Sequence, residues 1–316
     1  MTIQSVWQKS FDFFGKPVVV EPSETELTSD AGLLPIRQFD AVLGLTEQFA
    51  AALTDVRYQP SVQHDLLEMI RMRVFGILAD YPDQNDHDVL RSDPVFKLIV
   101  GRSLQEDDLA SQPTLSRFEN AIGVKSLRKL QDVFIDQFIA SFDEPPARLT
   151  LDIDPFDDST HGQQQLTFFH GYYRQYQYLP RVITCAENDL VVMLCLLFGK
   201  ASAALGADDD MEYLVGRLRE AFPDVRIVLR ADSGFGVPAM YEVCERLDVD
   251  YTIGIRMNPT LKKWSDSLLD ECVQEFAATG QPQRKFCAGW YKAGSWPAQR
   301  WLVIKCEANA QGTNRR

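Results

Sequence analysis

"LTLDIDPFDDSTHGQQQLTFFHGYY", residues 149–173, carries aspartates at 152, 154, 157 and 158, on and just beyond a run that reads as a β-strand. In a strand, alternate side chains share a face, so Asp152 and Asp154 point one way while Leu151 and Ile153 point the other. An unpaired charge on an apolar strand is costly unless something uses it. Asp157 and Asp158 fall in the exit loop and read as solvated or capping charges. A second acid stands in "LRADSGFG", where Asp232 ends a strand and Ser233 and Gly234 open a tight turn. Loops at the carboxyl ends of strands are where sites form in α/β sheets. If the two strands are neighbours, Asp154 and Asp232 face each other. Two close carboxylates repel, so one takes up a proton or both bind a divalent cation. Oxygen ligands favour Mg²⁺ or Mn²⁺. A pair of such ions ~3.5–4 Å apart stabilises the entering and leaving oxygens of an in-line phosphoryl displacement. His161 and His170 read as structural histidines. The aromatic run from Phe168 to Tyr178 reads as core plus strand surface rather than a base-stacking platform.

The elements that would position these acids follow from periodicity. Residues 1 to about 30 read as an irregular or short-stranded arm. From about 31 to 142 the helical period dominates. "LPIRQFDAVLGLTEQFAAAL" spaces Phe39, Val42, Leu43, Leu45, Phe49 and Leu53 along one face. "QHDLLEMIRMRVFGILADY" does so with Leu66, Leu67, Ile70, Val74 and Ile77, and "VKSLRKLQDVFIDQFIASF" is a third such helix. "DEPPARLT" ends the helical part. Strands follow at Leu149–Ile153, "QLTFFHGYY", "LPRVITC" and "DLVVMLCLLF", then a helix at "DMEYLVGRLREAF". The strand "VRIVLRAD", the helix "VPAMYEVCERL" and the strand "DYTIGIRM" complete the order. That β-β-β-(β)-α-β-α-β order, with "DLVVMLCLLF" read as a strand rather than a short buried helix, predicts an α/β fold with a ribonuclease-H-like mixed sheet, not a doubly wound parallel one. The domains read as 1–148, arm and helical; 149–261, the sheet core; and 262–316, the start of a β-rich insertion. In that last part "QRKFCAGWYKA" and "RWLVIKCEA" are strands, and no returning strand is expected after the turn signal "QGTN".

The 316 residues are 45% hydrophobic and 24% charged, enough for a sizeable core and two domains. A net charge of −13 counts against a broadly basic nucleic-acid surface, although a carboxylate metal site itself adds negative charge. The six cysteines form no CxxC and no zinc spacing, as expected of buried thiols in a reducing cytosol. "MTIQSVWQKSFDFFGKP" has no apolar segment of signal-peptide length, and Leu190–Phe198 is too short to span a bilayer. The protein is expected in the cytoplasm, away from membranes. Helices near 61–79, 86–91 and 112–122 could form a helix-turn-helix-like unit with "QPTLSRFEN" as its recognition helix. Arg117 and Asn120, three apart, would be its base readers. An ordinary helical bundle is the alternative, and local acids outweigh bases here.

"LTLDIDPF" weakly matches haloacid-dehalogenase-like phosphatases, whose strand also ends in DxD. Phe156 where Thr or Val is expected, a strand where that fold needs a helix, and the missing downstream acid argue against it. "DIDPFDDSTHGQQQLTFFHGYYRQYQYLP", "LRADSGFG" and "YTIGIRMNP" together resemble the DDE transposases of bacterial insertion sequences, the insertion-sequence thirteen-eighty group in particular. "RVFGILADYPDQNDHDVLRSDP" and "LASQPTLSRFEN" add to the resemblance, which runs from about residue 25 to 316. It implies a ribonuclease-H-like core, a pair of Mg²⁺ (or Mn²⁺) ions, and DNA, both element ends and target, as partner. It places the first catalytic, metal-binding aspartate at Asp154, with Asp152 as the alternative, and the second at Asp232. Asp-Pro-Phe stands at 154–156 where the group often has Asp-Ala-Thr, and "LLFGKAS" departs from an Arg-Pro-Gly-Asn pattern. The third acid is a Glu on a helix after a β-region. Glu271, Glu275 and Glu307 precede or fall within that region, so a C-terminally truncated transposase is expected, inactive alone. The alternative is a non-catalytic DNA-binding or dimerising remnant that pairs with full-length protein; a homo-oligomer is a further candidate partner.

Overall fold

The computed structural model describes residues 9–11, 18–20, 27–162 and 164–316. The chain divides into two units, Met1–Gln137 and Phe138–Arg316. Most of the N-terminal arm lies outside the described residues. Within it, β1 (Lys9–Phe11) and β2 (Val18–Val20) pair antiparallel.

The first unit is helical: α1 (Leu33–Leu43), α2 (Leu45–Ala52), α3 (Leu66–Leu78), α4 (His87–Leu90), α5 (Pro94–Val100), α6 (Gln112–Asn120) and most of α7 (Val124–Ala140). The first expected helix is broken in two. Gly44 adopts φ +68°, a left-handed conformation that ends α1 and starts α2. The buried face of α1 is also not the apolar stripe that the spacing suggests. Phe39 and Val42 are exposed, whereas Leu33, Leu34, Arg37 and Asp40 are buried. Asp40 accepts from the Thr46 amide and hydroxyl, and Arg71 donates to the Thr46 hydroxyl, so a satisfied polar network takes the inside position. In α3 the core residues are Met69, Ile70, Met72 and Phe75, one step round from the Val74 and Ile77 of the expected stripe.

The second unit holds β3 (Arg148–Pro155), β4 (Asp158–Ser159), β5 (Phe168–His170), β6 (Gln175–Cys185), β7 (Val191–Phe198), α8 (Ala207–Ala221), β8 (Arg226–Ala231), α9 (Pro238–Arg246), β9 (Asp250–Ile253), α10 (Pro259–Trp264), α11 (Asp266–Thr279), β10 (Gln283–Tyr291), β11 (Arg300–Asn309) and β12 (Gly312–Arg315). The main sheet is mixed. β6 pairs antiparallel with both β7 and β3, β3 runs parallel to β8, and β8 parallel to β9. β3 therefore lies inside the sheet and buries Leu149, Leu151 and Ile153. α8 buries Met211, Leu214, Val215 and Leu218, an i, i+3, i+4, i+7 stripe. "QLTFFHGYY" is not one strand: only Phe168–His170 pairs, and the chain turns before β6. Arg174 makes that turn with φ +58°.

The C-terminal part differs from expectation twice. Residues 259–279 form α10 and α11, and α11 packs its Cys272 under Ile304, Cys306 and Ala308 of β11. A strand does return after "QGTN": β12 pairs with β11 through Cys306↔Arg315 to Asn309↔Gly312. Its residues are polar, so no hydrophobic alternation announces it. Among the described residues no helix is long and apolar enough to cross a membrane. All six cysteines are free.

Candidate functional site

Asp154 and Asp232 end the two central parallel strands. The ladder between those strands runs to Ile153↔Ala231, so the two acids follow it in the same row. Neighbouring strands lie about 4.8 Å apart, which sets the spacing at which the two side chains start. Both line one cavity of about 840 Å³. The Asp154 carboxylate has no hydrogen-bond or ion-pair partner among the described residues. Partial burial, and then the charges of Asp232 and Asp152, push it above the usual carboxylate range.

Asp232 has a second duty. Its Oδ1 accepts from the Gly234 amide at 2.7 Å, capping the single turn Ser233–Phe235. A Cβ at Gly234 would lie 2.9 Å from that oxygen. The turn sits directly on the end of β9. A Cβ at Gly236 would meet the Gly254 carbonyl at 2.9 Å, and one at Gly254 would meet the Ser233 amide at the same distance. "ADSGFG" and the later Gly254 thus let two backbones touch and hold Asp232 in place. No sequence pattern singles out Gly254, and only the β8–β9 pairing reveals its part.

Asp152 is engaged elsewhere. It stands opposite Arg230 in the β3–β8 ladder and receives both guanidinium hydrogen bonds of that residue. Asp157 accepts from the Gln175 amide at 2.7 Å, and Asp158 lies exposed on β4. His161 is exposed. His170 lines the cavity, and its Nδ1 is buried with no hydrogen bond among the described residues. Tyr172 and Tyr173, edge to face, line it too. Burial and the nearby Asp157 hold the Tyr173 hydroxyl above its ordinary range.

Two contributors are not apparent from the motifs. Arg256, three residues beyond β9, lines the cavity as an exposed guanidinium with no partner among the described residues. A cation just past the carboxyl end of a strand was the available signal. Trp296 enters from the β10–β11 loop, held by stacking with Tyr241, Tyr291 and Arg300. Arg300 is itself buried and donates from Nε and Nη2 to the Glu245 carboxylate of α9, at 2.7 and 2.9 Å. That ion pair ties the β10–β12 sheet to the main one. Loop and anchor are far from the acids in sequence, so no local pattern announces them.

The glutamates of the C-terminal part are engaged in ion pairs. Glu271 and Glu275 share Lys285, at 2.9 and 2.6 Å. Glu307 pairs with Arg284 at 2.7 Å and with Lys305 at 3.0 Å. Among the described residues no acid besides Asp154 and Asp232 lines the cavity, and no group of three or more His, Cys, Asp or Glu could hold a metal ion. Two adjacent carboxylates, one of them without a partner and raised by the other, still fit a hard divalent cation. Mg²⁺ is commonly held by one or two carboxylates, with waters and substrate phosphates completing its shell. In the first unit, Asn120 donates to the Ser116 carbonyl at 2.8 Å and Arg117 to the Thr114 hydroxyl at 3.3 Å. Both side chains lie exposed on α6.

The profile of the family described as transposase DDE domain group 1 matches residues 12–316. No curated protein matches the chain significantly. Among solved structures the chain is similar to the piggyBac transposase synaptic complex with hairpin DNA, at 16% identity over 87% of this chain and a TM-score of 0.38. The chain spans 57% of the length of that one. It is also similar to the Mos1 transposase paired-end complex with left transposon end (11% identity, 61% of this chain, 73% of the other, TM-score 0.24). A third is the Drosophila P element transposase strand transfer complex (10%, 63%, 48% and 0.27).

Proposed function

The chain belongs to transposase DDE domain group 1, and from that premise we propose that its second unit is the metal-dependent DNA strand cleavage and transfer core of an insertion-sequence transposase. The observation that carries this reading is the row formed by Asp154 and Asp232 at the carboxyl ends of two adjacent parallel strands. The sheet order β7–β6–β3–β8–β9, antiparallel and then parallel, supports a ribonuclease-H-like core. The motifs around both acids support assignment to the insertion-sequence thirteen-eighty group, acting in the cytoplasm on element ends and target DNA.

The reaction is an in-line displacement at phosphorus, first by water at an element end, then by the freed 3′-hydroxyl on target DNA. Asp154 and Asp232 would hold Mg²⁺ or Mn²⁺, which when bound neutralises charge on the scissile phosphate. Asp232 is fixed by its own cap to Gly234. Asp154 is kept partnerless because Arg230 occupies Asp152. The cavity offers two acids of the three that the family's name denotes. With two carboxylates in place of three, this chain alone should bind cation weakly and transfer little. Arg117 and Asn120 stand as a base-reading pair on α6 whose loss should weaken binding at particular bases.

Manganese titration followed by electron paramagnetic resonance tests the reading without requiring turnover. The parent chain is expected to bind Mn²⁺, and Asp154→Asn and Asp232→Asn are each expected to abolish it. Unchanged binding in either variant would overturn the site.

A further inference from the structure

Segment 255–263 is the wall between two cavities. Ile255, Arg256 and Asn258 face the one holding Asp154 and Asp232. Met257, Pro259, Lys262 and Lys263 face a second, of about 990 Å³, closed on its other side by Thr313, Asn314 and Arg315. The wall is firmly built. Asn258 caps α10 by accepting from the Leu261 amide at 3.1 Å, and its own amide donates to the Tyr291 hydroxyl at 3.0 Å. Leu261 is fully buried, with Ile255 and Met257 packed against the same small core.

The charges on this wall are unusual for a chain of net charge −13. Lys262 and Lys263 are exposed, and their ammonium groups have no hydrogen bond or ion pair among the described residues. Arg256 shares that condition on the other side of the wall. The acid nearby is already used: Asp266 is bonded by Arg315 at 2.6 Å, and Arg315 also donates to the Lys262 carbonyl at 2.8 Å. Lys262 and Lys263 are therefore unpaired cations, next to a pocket whose two acids have no ion-pair partner among the described residues. A polyanion bridged to the acids by a cation and then drawn over the wall satisfies both.

We propose that segment 255–263 is a DNA track: a strand leaving the acid pocket passes Arg256 and lays its next backbone phosphates on Lys262 and Lys263 in the second cavity. This rests on the proposed function, since it takes the strand in the acid pocket to be DNA. The track reads charge and not bases, because ammonium groups meet phosphate without sequence information.

The test is the salt dependence of binding to a fluorescently labelled single-stranded DNA oligonucleotide of mixed sequence, using the full chain. Removing one cation that neutralises a phosphate lowers the slope of log K against log salt by about 0.7, so Lys262→Gln/Lys263→Gln should lower it by about 1.4 and weaken binding at low salt. Lys262→Arg/Lys263→Arg should retain the parental slope. Arg148→Gln, which removes an exposed charge from the far end of β3, should leave it unchanged. A Gln double variant with parental slope and affinity overturns the track alone. A parent chain that does not bind DNA at all overturns the proposed function, and the track falls with it. Thermal unfolding of each variant establishes that the fold is intact.

Discussion

Asp152 and Asp154 share a face of one strand and differ by a single pleat, yet only one is available for chemistry. Arg230 stands across the ladder from Asp152 and takes both its oxygens. Asp154 has the uncharged Val182 across from it on β6 and Asp232 in the row just beyond the β3–β8 ladder. The exposed Arg230–Asp152 pair is worth little in stability, about 0.5 kcal/mol; it occupies both Asp152 oxygens, although the Asp152 charge still adds to that of Asp232 in raising Asp154. Gly234 offers a sharper test at this scale. A Cβ there crowds the Asp232 oxygen that caps the turn. Gly234→Ala is expected to weaken Mn²⁺ binding by roughly tenfold, as disturbing a group that orients a metal ligand typically does. Isothermal titration would show it, while the unfolding midpoint should stay close to that of the parent.

Elements are fastened by single side chains and by missing ones. Arg300 is buried, stacked on Tyr241 and Trp296, and bonded to Glu245. Breaking a fully buried pair costs about 3–5 kcal/mol. The Glu245 carboxylate is partly exposed, so Arg300→Ala should cost less, about 2 kcal/mol, in urea unfolding. Trp296 should also lose its place in the cavity wall, visible as a red shift of its fluorescence. Gly199, just past the end of β7, permits the closest approach in the sheet: a Cβ would fall 2.0 Å from the Gln177 carbonyl oxygen and 2.8 Å from that of Phe168. Neither is a flexible side-chain end. Gly199→Ala should therefore destabilise by about 3 kcal/mol or more, as overpacking against backbone does, and lower the yield of folded protein.

At the scale of the whole molecule, two linkages set the conditions of stability. Burial, followed by the charge of Arg73, lowers the His87 pKa from 6.5 to about 4. The unfolded chain thus binds an extra proton between those values. This contribution is complete above about pH 6.5 and is lost as pH falls toward 4, to a total of about 3 kcal/mol. Urea unfolding at neutral pH and at about pH 5 should show the decline, and replacing His87 should flatten it. Cation binding acts in the opposite sense. Mn²⁺ at a hundredfold excess over its dissociation constant should stabilise by about 2.7 kcal/mol, and Asp154→Asn should remove the gain in a thermal scan. The amino-acid order alone determined that acids would stand at the ends of "LTLDID" and "VRIVLRAD", since alternation and apolar runs are local properties of a strand. It also marked the passage from helices to strands at "DEPPARLT". The tertiary structure decided which acid is silenced by Arg230, that Asp154 and Asp232 share a row, and that Arg256 and Trp296 join them. It also turned α1 so that Arg37 and Asp40 lie inside and Phe39 outside. The physical reason is common to all of these: a residue's face follows from its own strand or helix, but its partners follow from long-range register and packing, which no short stretch of chain encodes.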